Sequence, residues 1–183
     1  MVAGFDLPGY GEYTFRPEGG PVLPRARVRL IGLPVALFCA AEQHTNDLLR
    51  EIALMAAARA DQEGAGLFSD LLAAADTYAH RPADVRHRIA ESVAVAQRQG
   101  WDTVSVDFDA DTTAADGATA WEELLQRFDR MSREERLLTL PANAELAAYR
   151  AWYVRELVEQ VRTGREPVAW TRARSDALAG AAS

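Results

Sequence analysis

Lysine is missing: all 20 basic side chains of this 183-residue chain are arginine, beside three histidines and one cysteine. A Walker-type phosphate loop needs a lysine on the transferring phosphates, and Schiff-base and pyridoxal enzymes need an amine that can lose its proton. Arginine cannot stand in, because it stays protonated at any workable pH. Those enzyme classes are excluded. A GC-rich genome favouring arginine and alanine codons accounts for the bias, and the exclusion holds whatever its origin.

Cysteine is nearly as scarce. A lone Cys39 rules out an internal disulfide and leaves too few thiolates for a structural zinc site. It stands in the apolar run Val35-Ala36-Leu37-Phe38-Cys39 and reads as a small buried hydrophobe. Long apolar runs are missing too. The longest, Leu30 to Ala41, is interrupted by Gly32 and Pro34 and falls short of a bilayer span. Met1 to Phe15 has no basic region followed by an apolar stretch, so no secretory signal is expected. These features predict a cytoplasmic protein without membrane contact.

The net charge of -7 is concentrated. Residues 102–145 hold eleven acidic and four basic side chains, and the remainder balances at sixteen of each. Such a chain is a poor match for a phosphate backbone, and nucleic-acid binding is not expected.

Periodicity predicts one domain over 25–170, with a flexible N-terminal arm at 1–24 and a flexible tail at 171–183. Arg25 to Leu30 alternates charged and apolar residues, the mark of a half-buried strand, and Gly32-Leu33-Pro34 reads as a turn. A helix over about 34–59 carries Leu37, Ala41, Thr45, Leu48, Ile52 and Met55 on one side. A shorter helix carries Leu67, Leu71, Ala75 and Tyr78. A third opens at Pro82, with Val85, Ile89, Val93 and Ala96 inward and Gly100 as its stop. Thr103 to Phe108 is a second strand. Trp121, Leu124, Leu125 and Phe128 mark a fourth helix, and Leu137 to Leu140 a short extended piece. The last helix, about 142–162, presents Leu146, Tyr149, Tyr153, Leu157 and Val161. The fold class is mainly α with a small β-sheet (α+β): about five helices plus two or three short strands. If the two strands are neighbours, Arg25, Arg27 and Arg29 face Asp107 and Asp109 across the sheet.

Most candidate motifs fail on inspection. A calcium loop begun at Asp107 needs glycine sixth and glutamate twelfth, where Thr112 and Ala118 stand. Asp109-Ala110-Asp111-Thr112-Thr113 resembles the nucleophile motif of haloacid dehalogenase-type phosphatases, but the strand–helix alternation of that family is missing. A solvated acidic turn is the better reading. His80 and His87 bracket Pro82 without a third placed ligand, so no metal and no cofactor is expected. No Gly-x-Ser-x-Gly turn occurs. His44 sits at the edge of its apolar stripe with Asp47 one turn on and Glu51 two turns on. Carboxylates beside an imidazole orient it and raise its pKa, which would suit a phosphoacceptor; the plainer reading is a boundary histidine. Trp152 and Trp170 lie off the main apolar face and are candidates for partner binding, with packing as the alternative role.

Two blocks carry a resemblance. One runs Arg27-Val28-Arg29-Leu30-Ile31-Gly32-Leu33-Pro34-Val35 into His44-Thr45-Asn46-Asp47-Leu48-Leu49-Arg50-Glu51. The other begins Leu137-Leu138-Thr139-Leu140-Pro141 and continues through Tyr149-Arg150-Ala151-Trp152-Tyr153-Val154-Arg155-Glu156-Leu157 to Glu166-Pro167-Val168-Ala169-Trp170. Together they resemble a group of small, uncharacterised, mainly helical proteins of high-GC Gram-positive bacteria. Members accompany anti-sigma-type regulatory kinases of histidine-kinase-like ATPase fold. The resemblance implies a role in signal transduction and assigns none to any residue.

The leading expectation is therefore a non-enzymatic regulatory protein. It would bind a signalling partner, an anti-sigma-type kinase or similar, in transcriptional or stress control. A histidine phosphotransfer domain with His44 as acceptor and a small-molecule sensor are the alternatives. A homodimer through the first and last helices is compatible with all three.

Overall fold

The computed structural model describes residues 24–58, 71, 73–75 and 83–171. Its elements are β1 (Ala26–Pro34), α1 (Val35–Ala58), α2 (Ala83–Gln99), β2 (Thr103–Ala110), α3 (Thr112–Arg133) and α4 (Ala144–Thr163). Leu71 and residues 73–75 are also helical. The fold is mainly α with a small antiparallel sheet, as the periodicity predicts. The arm at 1–24 and the tail at 171–183 lie almost wholly outside the described residues, as do Leu67, Tyr78, His80 and Pro82.

The charge complementarity between the strands is realised. Arg29 pairs with Asp107 and Arg27 with Asp109 in register. Arg29 Nε donates to Asp107 Oδ1 at 2.7 Å and Nη2 to Oδ2 at 3.0 Å. Arg27 reaches Asp109 at 3.5 Å. The third member of the acidic turn, Asp111, caps α3 by accepting the Ala114 N–H at 3.0 Å, a standard use of aspartate at a helix start. The acidic run is thereby accounted for by sheet pairing and a cap.

Two expectations need correction. Gly32-Leu33-Pro34 is not a turn, because β1 continues through it. The register steps from Leu30↔Val106 to Leu33↔Val104, so one extra residue is inserted in β1. Gly32 takes φ +67°, the left-handed conformation such a bulge demands. The strand then resumes with Leu33 fully buried. The 137–140 piece is not a strand either. Its Leu138 and Thr139 N–H groups are taken by the Glu51 carboxylate instead of a neighbouring strand.

α4 lies against β1 and is more deeply embedded than one apolar stripe requires. Leu146, Tyr149 and Leu157 are buried, but so are Trp152, Glu156 and Gln160 at successive turns. Gln160 Oε1 accepts the Arg29 N–H at 2.8 Å and Nε2 donates to the Arg29 carbonyl at 3.0 Å, so one amide mimics a strand neighbour. Asn143 caps the helix start and Gly164 at φ +66° ends it. The chain then returns along β1, where the Trp170 N–H donates to the Ile31 carbonyl at 3.0 Å. The open edge of β1 is thus covered by a side-chain amide and a returning segment, which blunts edge-to-edge association.

The buried apolar residues fall into two clusters. One joins the sheet to α2 and α4 around Leu30, Ile89, Phe108 and Trp152. The other joins α1 to α3 around Leu48, Ile52, Leu125 and Phe128.

Candidate functional site

A cavity of about 490 Å³ lies where the four helices face one another, with Ile89 and Tyr149 of the first cluster and Leu125 of the second in its wall. Each helix contributes at helical spacing. α1 supplies Phe38, Ala41, Glu42 and Thr45, and α2 supplies Arg86, His87, Ile89 and Ala90. α3 supplies Ala118, Trp121, Glu122 and Leu125, and α4 supplies Tyr149, Arg150, Tyr153 and Val154. Four such patches facing inward leave a space because small residues, Ala41, Ala90 and Ala118, stand where larger ones would close it. Size and lining match an ordinary ligand site, mostly apolar and aromatic with a few placed polar groups. Glu42, Arg86, His87 and Ala90 are exposed and mark the mouth.

The charged floor is a network centred on Arg150. Its Nη2 donates to Asp129 and its Nε stands 3.5 Å from Glu122 Oε2. All three side chains are nearly without solvent. Loss of water pushes the Glu122 carboxyl above its ordinary range, against Arg150 and a hydrogen bond from Gln126. Asp129 Oδ1 accepts the Ala142 N–H at 2.8 Å, which ties the network to the start of α4. Arg150 Nε and Nη1 are buried without a hydrogen-bond partner, an expensive state in a site with no further function.

Glu42 stands opposite. It makes no hydrogen bond or close ion pair among the described residues. Although it stands exposed at the mouth, the neighbouring wall takes part of its water away and raises its carboxyl above the ordinary range, with Arg86 opposing. Burial pushes the Tyr153 hydroxyl up to about 12, with the Glu42 charge adding and Arg86 subtracting. Tyr149 is raised well above its usual value by burial first, with Tyr153, Glu42 and Cys39 adding. The Glu42 charge is therefore felt by both tyrosines of the facing helix.

The residues singled out from sequence fall elsewhere. His44 Nε2 bonds to the Leu140 carbonyl at 2.9 Å, so that nitrogen carries the hydrogen, and Nδ1 is enclosed without a partner. The carboxylate nearest its ring is Asp129 at 3.9 Å. Asp47 pairs with Arg50, and Glu51 holds the Leu138 and Thr139 N–H groups. The three share a helix but do not converge on the imidazole. Trp152 is fully buried and donates through Nε1 to the Val168 carbonyl at 2.9 Å. It packs with Tyr149 and Trp170 at centroid distances of 6.1 and 5.5 Å. Full burial gives Trp152 a packing role, whereas Trp170 packs against it while remaining half-buried. His87 pairs with Glu91 at 3.1 Å, and no cluster of metal-ligating side chains occurs among the described residues. Cys39 is half-buried, and burial followed by the Glu42 charge raises its thiol.

Trp121, Leu125, Ile89, Tyr149 and Tyr153 were legible as core positions. The charged members Glu42, Arg86, Glu122 and Arg150 were missed, because a charge at the border of an apolar stripe looks like a solvated face. The available signal was positional: each stands one residue from a stripe position.

Comparison with protein-family models, with curated proteins and with solved structures finds no match to this chain. No helix of the described residues is long and apolar enough to cross a membrane.

Proposed function

We propose that this protein is a small-molecule-binding domain that acts as a sensor in a regulatory pathway. The observation that carries the reading is the four-helix cavity, with its 490 Å³ volume, aromatic wall and few placed polar groups. The resemblance to companions of anti-sigma-type kinases supplies the regulatory context. The reading places the protein in the cytoplasm, where a lone thiol such as Cys39 stays reduced. A thermal-shift screen of metabolites on the wild type and on Ala90→Trp tests it. Ala90 is exposed at the mouth, so the variant should fold normally while blocking entry. At least one compound should raise the melting temperature of the wild type alone. No compound doing so, or equal shifts in both proteins, would contradict the reading.

A specific observation favours a second reading, docking of a kinase-type protein partner. Leu138 and Leu140 are 94% and 79% exposed and border one groove with Leu54, at 65%. Leucines held outward by the Glu51 cap would suit an apolar segment of that partner. Leu138→Glu with Leu140→Glu should abolish co-elution with a purified anti-sigma-type kinase. Undiminished co-elution would remove the groove from any interface.

A further inference from the structure

The polar groups of the cavity select among ligand chemistries. Arg150 is committed to Asp129 and Glu122, so one basic side chain faces two acidic ones. An anion drawn toward Arg150, whose Nη1 is itself buried, would approach Glu122 on the floor and pass Glu42 at the mouth. Arg86, exposed on α2, is the cation it would meet, and His87 beside it is engaged with Glu91. A cation entering passes the same Arg86 but is drawn by Glu42 and Glu122. It finds a Glu42 carboxylate with no hydrogen bond among the described residues and, in the same wall, the aromatic rings of Phe38, Trp121, Tyr149 and Tyr153. Aromatic faces attract ammonium groups most strongly where water is excluded.

Resting on the cavity reading above, we infer that the ligand is an organic cation: a primary or methylated ammonium on an aromatic or branched apolar body. The ammonium sits at Glu42, and the body packs between Tyr153 of α4 and Trp121 of α3. Thr45, one turn from Glu42 in the same wall, offers a hydroxyl to an acceptor elsewhere on the ligand. The volume limits that body to the size of an ordinary metabolite.

Three probes of one shape separate the possibilities: phenethylammonium, 2-phenylethanol and 3-phenylpropionate. Binding is followed by tryptophan fluorescence and by calorimetry on the full chain. Phenethylammonium should bind at least about tenfold tighter than the alcohol and displace the propionate from the ranking altogether. Glu42→Gln, checked for folding by circular dichroism, should erase that preference while leaving the alcohol unchanged. Ala90→Trp should block every probe. If alcohol or propionate binds as tightly as the ammonium, the cation assignment falls and the cavity reading stands. If none binds, both fall. A preference that survives Glu42→Gln would overturn the role of Glu42.

Discussion

The Glu156 carboxylate, fully enclosed, accepts the Val168 N–H at 2.8 Å and so binds the middle of α4 to the chain that follows it. Arg165 Nη2 and Gln160 Nε2 donate to the same carboxylate at 2.6 and 3.2 Å. From Val168 the carbonyl takes the Trp152 indole, and two residues on the Trp170 N–H completes the edge of β1. One buried acid thus organises helix, returning segment and sheet edge. That framework holds the α4 wall of the cavity in place.

Glu156→Ala should therefore be costly. It leaves Arg165 and the Val168 N–H without their acceptor, and about 2–3 kcal/mol of unfolding free energy should be lost. The figure lies below that for a fully buried pair because Arg165 keeps 34% of its side chain exposed. Chemical denaturation measures it, and a loss under about 0.5 kcal/mol, typical of a surface substitution, would contradict the role given to this residue.

Acid should weaken the sheet through Asp107. Its hydrogen bond with Arg29 holds its carboxyl below the ordinary value, against a small burial effect and with the Arg29 and Arg27 charges assisting. A lowered folded-state pKa stabilises the fold above the unfolded value and loses that contribution as pH falls through the folded one. Melting temperatures from about pH 4 downward should fall more steeply in the wild type than in Asp107→Asn. Parallel curves would show that the pair contributes nothing.

Glu42 should behave in the opposite sense. Its raised folded-state pKa means the fold disfavours the charged form, so the penalty appears as pH rises past the unfolded value. Glu42→Gln should melt higher than the wild type at neutral pH, with the difference vanishing near pH 3, where both side chains are uncharged. A residue that costs stability in the empty protein is what a binding site is expected to contain. A lower neutral-pH melting temperature would mean that the carboxylate supports the fold.

The helices, both strands and their charge pairing were legible because each rests on local periodicity or on opposite charges in register. Pro34 and Gly32 misled, since a bulge and a turn use the same residues and long-range pairing with Ser105 and Val104 decides between them. Glu156 and Gln160 were invisible for a related reason: nothing local marks a glutamate that will meet a segment nine to twelve residues later. His44, Asp47 and Glu51 were correctly placed on one helix, but His44 and Glu51 found partners distant in sequence, Leu140 and the 138–139 backbone, while Asp47 paired with Arg50 one turn on. The cavity escaped notice because it belongs to four helices at once.

A crystal structure of the protein soaked in phenethylammonium tests the existence of that site most directly. Density for the probe is expected between the four helices, with its nitrogen at the Glu42 carboxylate and its ring against Tyr153. A cavity that stays empty at saturating probe, or density confined to the Leu138–Leu140 groove, would contradict the assignment of this cavity as an organic-cation site.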